Sequence, residues 1–219
     1  MQFFINRTLI MVLALAASTM ALAQEPAAEL KIAAVGDIML GGSGAPEFER
    51  FGYDYPFEKT RALLKQSHIV FGNLEGPLTH ADHAPVAKKY RYRSPPEKVA
   101  PALLNAGFNV VSLANNHAMD QGVEGLKHTL DALDLVGIKH TGAGMNLAEA
   151  RRPAILEANG ARVAFLAYTL TFPEEFWATN DRPGSPFGHE AQVRADIAAA
   201  KQQADIVLVS FHWGQEGKT

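Results

Sequence analysis

From Glu29 onward, short apolar runs rich in β-branched and aromatic residues alternate with helical patterns, and the runs end in polar clusters. That rhythm commits the chain to an α/β architecture, because a buried strand followed by an amphipathic helix builds a largely parallel sheet with helices outside it. The clusters are Val35-Gly36-Asp37, Phe71-Gly72-Asn73-Leu74-Glu75 and Leu113-Ala114-Asn115-Asn116-His117, with a fourth at Ser210-Phe211-His212-Trp213-Gly214. Each sets a carboxylate, amide or imidazole at the C-terminal end of a strand, where open α/β sheets gather their ligand sites.

Leu30–Val35 and His68–Phe71 read as strands, with a helix over Lys59–Gln66 between them. Ser94-Pro95-Pro96-Glu97 starts a second helix that Gly107 stops, and Asn109–Leu113 is the next strand. Val123, Leu126, Leu130, Leu133 and Leu135 share a helical pattern over Gly122–Val136, with Gly137 as its stop and a short segment around Ile138 after it. Asn159-Gly160 between two β-like runs predicts a hairpin, which interrupts the parallel rhythm. Thr171–Gly188 reads as a surface loop, Glu190–Ala204 as a helix and Ile206–Phe211 as a strand.

The 219 residues, 47% of them apolar, suit one domain with one sizeable core. A net charge of −3 exerts no global pull on nucleic acid, and none is expected as a partner. With no cysteine, disulfides, thiolate ligands and thiol nucleophiles are excluded, so any metal must be held by oxygen and imidazole. Arg7, the apolar stretch Leu9–Met20 and Ala21-Leu22-Ala23 before Gln24 form an export signal over residues 1–23, leaving a single domain over 24–219. The expected location is periplasmic or cell envelope. The alternative is an uncleaved anchor through residues 9–23, although that run is shorter than the ~20 residues a spanning helix needs.

Asp37, Glu75, Asn116 and His212 form a mixed donor set for a divalent cation such as Mn, Fe or Zn, as one ion or two. Glu75, in the middle of the series and just past Gly72, is the candidate bridging carboxylate. His117, beside the amide ligand, is then directed at substrate as general acid. Asn73 and Asn115 are candidates for substrate contact, as are Lys89, Arg91 and Arg93 in the basic aromatic run Lys88–Arg93, which suits an anionic polymer. Bland readings compete: Gly-Asp after a strand is often a turn, and His212 between Phe211 and Trp213 could be a core histidine. His68, His128, His140 and His189 lack companions at ligand spacing, and His80 and His83 flank Asp82 in a polar loop.

Taken together, Val35-Gly36-Asp37-Ile38-Met39-Leu40, Phe71-Gly72-Asn73-Leu74-Glu75-Gly76-Pro77, Val110 through Gly122, Gly142-Ala143-Gly144 and Ser210 through Glu216 resemble the CapA family of poly-γ-glutamate and capsule synthesis proteins. The resemblance runs from Lys31 to Thr219. It implies a metallophosphoesterase-like α/β/β/α sandwich related to calcineurin-like enzymes. It also implies an exported or membrane-anchored protein linked to making, exporting or anchoring poly-γ-glutamate, with an anionic polymer and a membrane synthesis complex as partners. By the same resemblance Asp37 is the first metal ligand, Glu75 the bridging carboxylate, Asn116 the amide ligand, His117 the acid and His212 a further ligand. The chain departs from the wider superfamily in three places: Ile38 and Met39 replace an Asp-x-His histidine, Gly72-Asn73-Leu74-Glu75 replaces a Gly-Asp block, and a Gly-His-x-His block is absent. The expectation from that last departure is a chain truncated at its C-terminal side, with an incomplete sandwich and marginal stability. The functional readings are a polymer-biosynthesis protein with such a metal site, a metal-dependent phosphoester or amide hydrolase, and a non-catalytic scaffold.

Overall fold

A computed structural model describes residues 29–214. The expected export signal over 1–23 lies outside the described residues. Four parallel strands form the first sheet in the order β1 (Ile32–Ile38), β2 (Ile69–Leu74), β3 (Val110–Ser112) and β4 (Lys139–Thr141). Between β1 and β2 lie two short helices, α1 (Ala45–Phe51) and α2 (Arg61–Leu64). Longer ones, α3 (Pro96–Ala106) and α4 (Gly122–Val136), precede β3 and β4. A four-residue helix, α5 (Leu147–Ala150), leads into the second sheet: β5 (Ala154–Ala158), β6 (Ala161–Thr169) and, after α6 (Glu190–Ala200), β7 (Ile206–His212). β5 and β6 are antiparallel about Asn159 (φ 49°) and Gly160 (φ 81°), the left-handed pair a tight hairpin needs, whereas β6 and β7 are parallel.

Alternation along the strands builds the layers. Ile69, Phe71 and Val110 point from the first sheet at Ala154, Val163 and Phe165 of the second, and the Phe71 and Phe165 rings stack at 5.3 Å. On the opposite face of the first sheet, Val70, Leu74 and Val111 pack with Val99 and Leu103 of α3 and Leu126 and Leu133 of α4. Ala164, Leu166 and Tyr168 meet Val193, Ile197 and Ala200 of α6 on the far side of the second sheet. The result is helices, sheet, sheet, helices.

Several expected elements shift. The helix over Lys59–Gln66 contracts to Arg61–Leu64, and α6 ends at Ala200 instead of Ala204. Ile138 is 1% exposed and packs in the helix-side core, while β4 begins one residue later. Thr171–Gly188 is more than a surface loop: Phe176, Ala178 and Ser185 are buried, and Ser185 Oγ donates to the Leu113 carbonyl at 3.1 Å. Backbone bridges to Gly144 and Thr169 satisfy this segment's polar groups, which allows it inside.

β1 carries the irregularity that matters most for the site. Ala34 pairs with Phe71, and the next matched pair is Asp37 with Asn73, so β1 contains one residue more than β2 over that span.

Candidate functional site

The C-terminal ends of β1, β2, β3 and β7 bring the predicted groups together. Asp37 Oδ1 accepts from Asn73 Nδ2 at 2.7 Å, across the pair that the slip in β1 sets opposite one another. Asn73 Oδ1 in turn accepts from Asn115 Nδ2 at 3.1 Å. Asn115 is 1% exposed; its Nδ2 also donates to the Leu74 carbonyl at 2.9 Å, and its Oδ1 accepts from the His117 amide at 3.0 Å. Its place is therefore that of an internal bracket tying β2 to the turn after β3, where substrate contact had been expected. Asn73, 6% exposed, is likewise engaged on both sides of its amide.

His212 arrives from β7. Its Nε2 donates to Asn116 Oδ1 at 2.9 Å, which leaves Nδ1 as the bare nitrogen, 3.3 Å from Asn73 Nδ2 and 3.7 Å from Asp37 Oδ1. Burial holds its pKa below the usual imidazole value, against the pull of the Asp37 charge. Glu75 Oε1 lies 3.8 Å from His117 Nε2 and 4.0 Å from His212 Nε2. Burial first, and then the neighbouring Asp37 carboxylate, push Glu75 up to about 7.

His117 is fixed from behind. Its Nδ1 is 2.5 Å from Asp120 Oδ2, and with Nδ1–H given to that carboxylate, Nε2 faces Glu75 and the pocket. Asp120 has a fully buried side chain and also accepts from Lys88 Nζ at 2.6 Å and the Tyr92 amide at 2.7 Å. Sequence reading missed both Asp120 and Lys88. A carboxylate three residues after His117 was the available signal for the first; Lys88 was hidden as one cation among several.

The other basic residues look outward. Lys89 lies over the Tyr90 ring at 4.8 Å, Arg93 pairs with Asp82 at 3.1 Å, and Lys89, Arg91 and Arg93 are all exposed. His80 pairs with Glu97 at 2.9 Å.

Two carboxylates, an amide oxygen and imidazole nitrogens are donors that suit a hard-to-borderline divalent cation. Burial is the first cause of the lifted Glu75 pKa and the Asp37 charge the second, with Lys88 opposing both, and a cation bound between the two carboxylates would stabilise their charged forms. The donor chemistry therefore fits a metal. The shell is not preformed: among the described residues no group of three or more His, Cys, Asp or Glu is arranged to hold an ion, and His212 is in contact with Asn116 and Asn73.

Two facing sheets with helices outside them make the α/β/β/α sandwich of a metallophosphoesterase-like fold, with a polar cluster at the strand ends. Haemophilus influenzae NAD nucleotidase has a similar fold, with a TM-score of 0.51 at 16% identity over 85% of this chain and 34% of that one. The chain belongs to the family described as bacterial capsule synthesis protein PGA_cap, whose profile matches residues 31–219. It is 36% identical over 194 residues to the capsule biosynthesis protein CapA of Bacillus anthracis and 35% identical over 184 residues to the PGA biosynthesis protein CapA of Bacillus subtilis. Those alignments take in 86% and 83% of this chain but 47% and 48% of the relatives, so the chain spans about half their length.

Proposed function

We propose that the protein acts outside the cytoplasm in the biosynthesis of poly-γ-glutamate or a related capsule polymer, through a divalent-metal site at the ends of β1, β2, β3 and β7. The observation that carries this reading is the convergence of Asp37, Glu75, Asn116, His117 and His212, contributed by segments up to 175 residues apart, on contacts of 2.9 to 4.0 Å. Family membership supports the polymer assignment.

Asp37, Glu75, Asn116 and His212 are the side chains that would hold Mn, Fe or Zn, as one ion or two. Such a cation, when bound, supplies polarisation of a phosphoryl or carbonyl oxygen and activation of water. His117 manages the proton: with Nδ1–H committed to Asp120, the proton exchanged with a leaving group sits on Nε2, which faces the pocket. Lys89, Arg91 and Arg93 offer an exposed cationic rim to a polyanion. Among the described residues no helix is long and apolar enough to cross a membrane. A membrane synthesis complex is the partner this reading calls for.

Metal analysis of the purified chain tests it. Stoichiometric metal that is lost in Glu75→Ala and Asn116→Ala supports the site; wild type without affinity for Mn, Fe or Zn overturns it. Hydrolysis of an aryl phosphate that disappears in His117→Ala would make the protein a working hydrolase. Metal retained without turnover would assign the site to polymer handling.

A further inference from the structure

Residues 84–94 lie against the segment Asn116–Gln121, and their contacts with it follow a pattern. Tyr92 lays its ring on His117, with centroids 4.1 Å apart, while its amide donates to Asp120 and its carbonyl accepts from Gln121 Nε2 at 3.2 Å. Ser94 Oγ donates to the Leu40 carbonyl at 2.8 Å. Room for this seat is cut in advance: a Cβ at Gly76 would come within 2.9 Å of Tyr92 Cβ, and one at Gly42 within 2.9 Å of the Tyr92 ring. Lys88 turns inward where Lys89, Arg91 and Arg93 turn out, and its side chain keeps only 15% exposure.

The ammonium of Lys88 does more than neutralise Asp120. It donates to the Asn116 carbonyl at 2.6 Å and to Asp120 Oδ1 at 2.6 Å, and it lies 3.1 Å from His117 Nδ1. Because the Nδ1 proton goes to Asp120, that last approach bears on the ring edge as a packed charge instead of a hydrogen bond. A fourth contact is the Phe176 ring, 5.1 Å from Nζ. One cation thus touches the backbone of the amide residue, the carboxylate that orients the imidazole, and the imidazole itself. Burial draws the lysine pKa down, and Asp120 opposes that pull.

We propose that Lys88 is a positioning residue whose ammonium ties segment 84–94 to the segment Asn116–Gln121 and holds Asn116 and His117 in the geometry the site requires. Its chemical purpose rests on the proposed metal site, whereas its mechanical part does not. Without the ammonium, Asp120 loses a donor, the Asn116 carbonyl is released, and the segment is left with the packing of Val86 and the fastenings of Tyr92, Arg93 and Ser94.

The test uses the full chain as wild type, Lys88→Met, Lys88→Arg and the double variant Lys88→Met/Asp120→Asn, with three readouts. Trypsin should cleave after Lys89, Arg91 and Arg93 about tenfold faster in Lys88→Met while other sites keep their rates. The slowly exchanging Nδ1–H signal of His117 in nitrogen-15 spectra should weaken or vanish, and Mn²⁺ should bind about tenfold more weakly, as loss of an outer-shell support does elsewhere. Lys88→Arg should recover part of each effect. If Lys88→Met fails to fold, the double variant, which leaves no unpaired buried carboxylate, should still show accelerated cleavage in the segment. Wild-type cleavage together with an unchanged His117 signal, in either variant, overturns the proposal. Wild type that binds no Mn²⁺ would defeat the metal site alone, and cleavage and the His117 signal would still decide the part played by Lys88.

Discussion

The two sheets are held by different means. In the first, β2 is buried along all six of its residues and α3 and α4 cover the outer face, so Leu103, Leu126 and Leu133 are sealed to 1% exposure or less. In the second, β7 leaves Ile206, Leu208 and Phe211 more than a third exposed, and α6 buries only Val193 and Ala200. A bidentate ion pair compensates: Arg151 grips Asp196 of α6 at 2.7 and 2.8 Å, and the Tyr168 hydroxyl donates to the same carboxylate at 2.7 Å. The site has its own asymmetry. Asn73, Glu75, Asn116 and His117 follow the buried inner strands β2 and β3, whereas Asp37 stands on the exposed edge strand β1 and His212 on the exposed edge strand β7, so the inner strands set the geometry and each edge strand delivers one side chain to it.

Asp120→Ala should do the most damage, about 3 to 5 kcal/mol in chemical denaturation, because it strands the buried Lys88 charge within the first half. A loss below about 1 kcal/mol would mean that the Lys88 cluster is not integral to the packed sheet. Next comes a matched pair of truncations: Leu133→Ala should cost about 3 kcal/mol and Val193→Ala about half that. Equal costs would erase the proposed difference between the halves. Asp196→Asn should cost about 1 to 2 kcal/mol and raise hydrogen exchange in α6 ahead of α4, since it weakens the clamp on a thinly buried helix. Exchange rising equally in both helices would show that the halves open as one. The smallest effect is at high pH. Burial, and then its hydrogen bond to Glu49, push Tyr53 from 10 up to about 12. The folded state therefore binds that proton more tightly, so the stabilisation is whole below pH 10 and lost as pH rises through about 12. Tyr53→Phe should abolish this part of the alkaline slope, measurable in melts at stepped pH.

The sequence was legible where local chemistry and tertiary packing agree. α4 runs from Gly122 to Val136 as its apolar period and Gly137 predict, and Asn159-Gly160 makes the hairpin its dipeptide demands. The strand-end clusters predicted which side chains would meet, since a parallel sheet brings successive C-terminal ends to one edge. Lys88 stayed hidden because a basic run looks alike whether its members face water or a buried carboxylate; only the fold sorts one inward. The internal bonds of Asn115 were unreadable for a similar reason, as an amide in a polar trio gives no sign of which neighbours its donors will meet. Buried Ser185 in the 171–188 segment depends on the distant Leu113 carbonyl, a contact across 72 residues that local patterns do not carry.

The extra residue in β1 between Ala34 and Asp37 has a consequence for anyone editing this chain. Excising Gly36 would leave a single residue, Val35, opposite Gly72, so Ala34 would still face Phe71 and Asp37 would still face Asn73. The slip is thus a place in β1 where one residue can be lost with the Asp37 carboxylate still in step with its Asn73 partner.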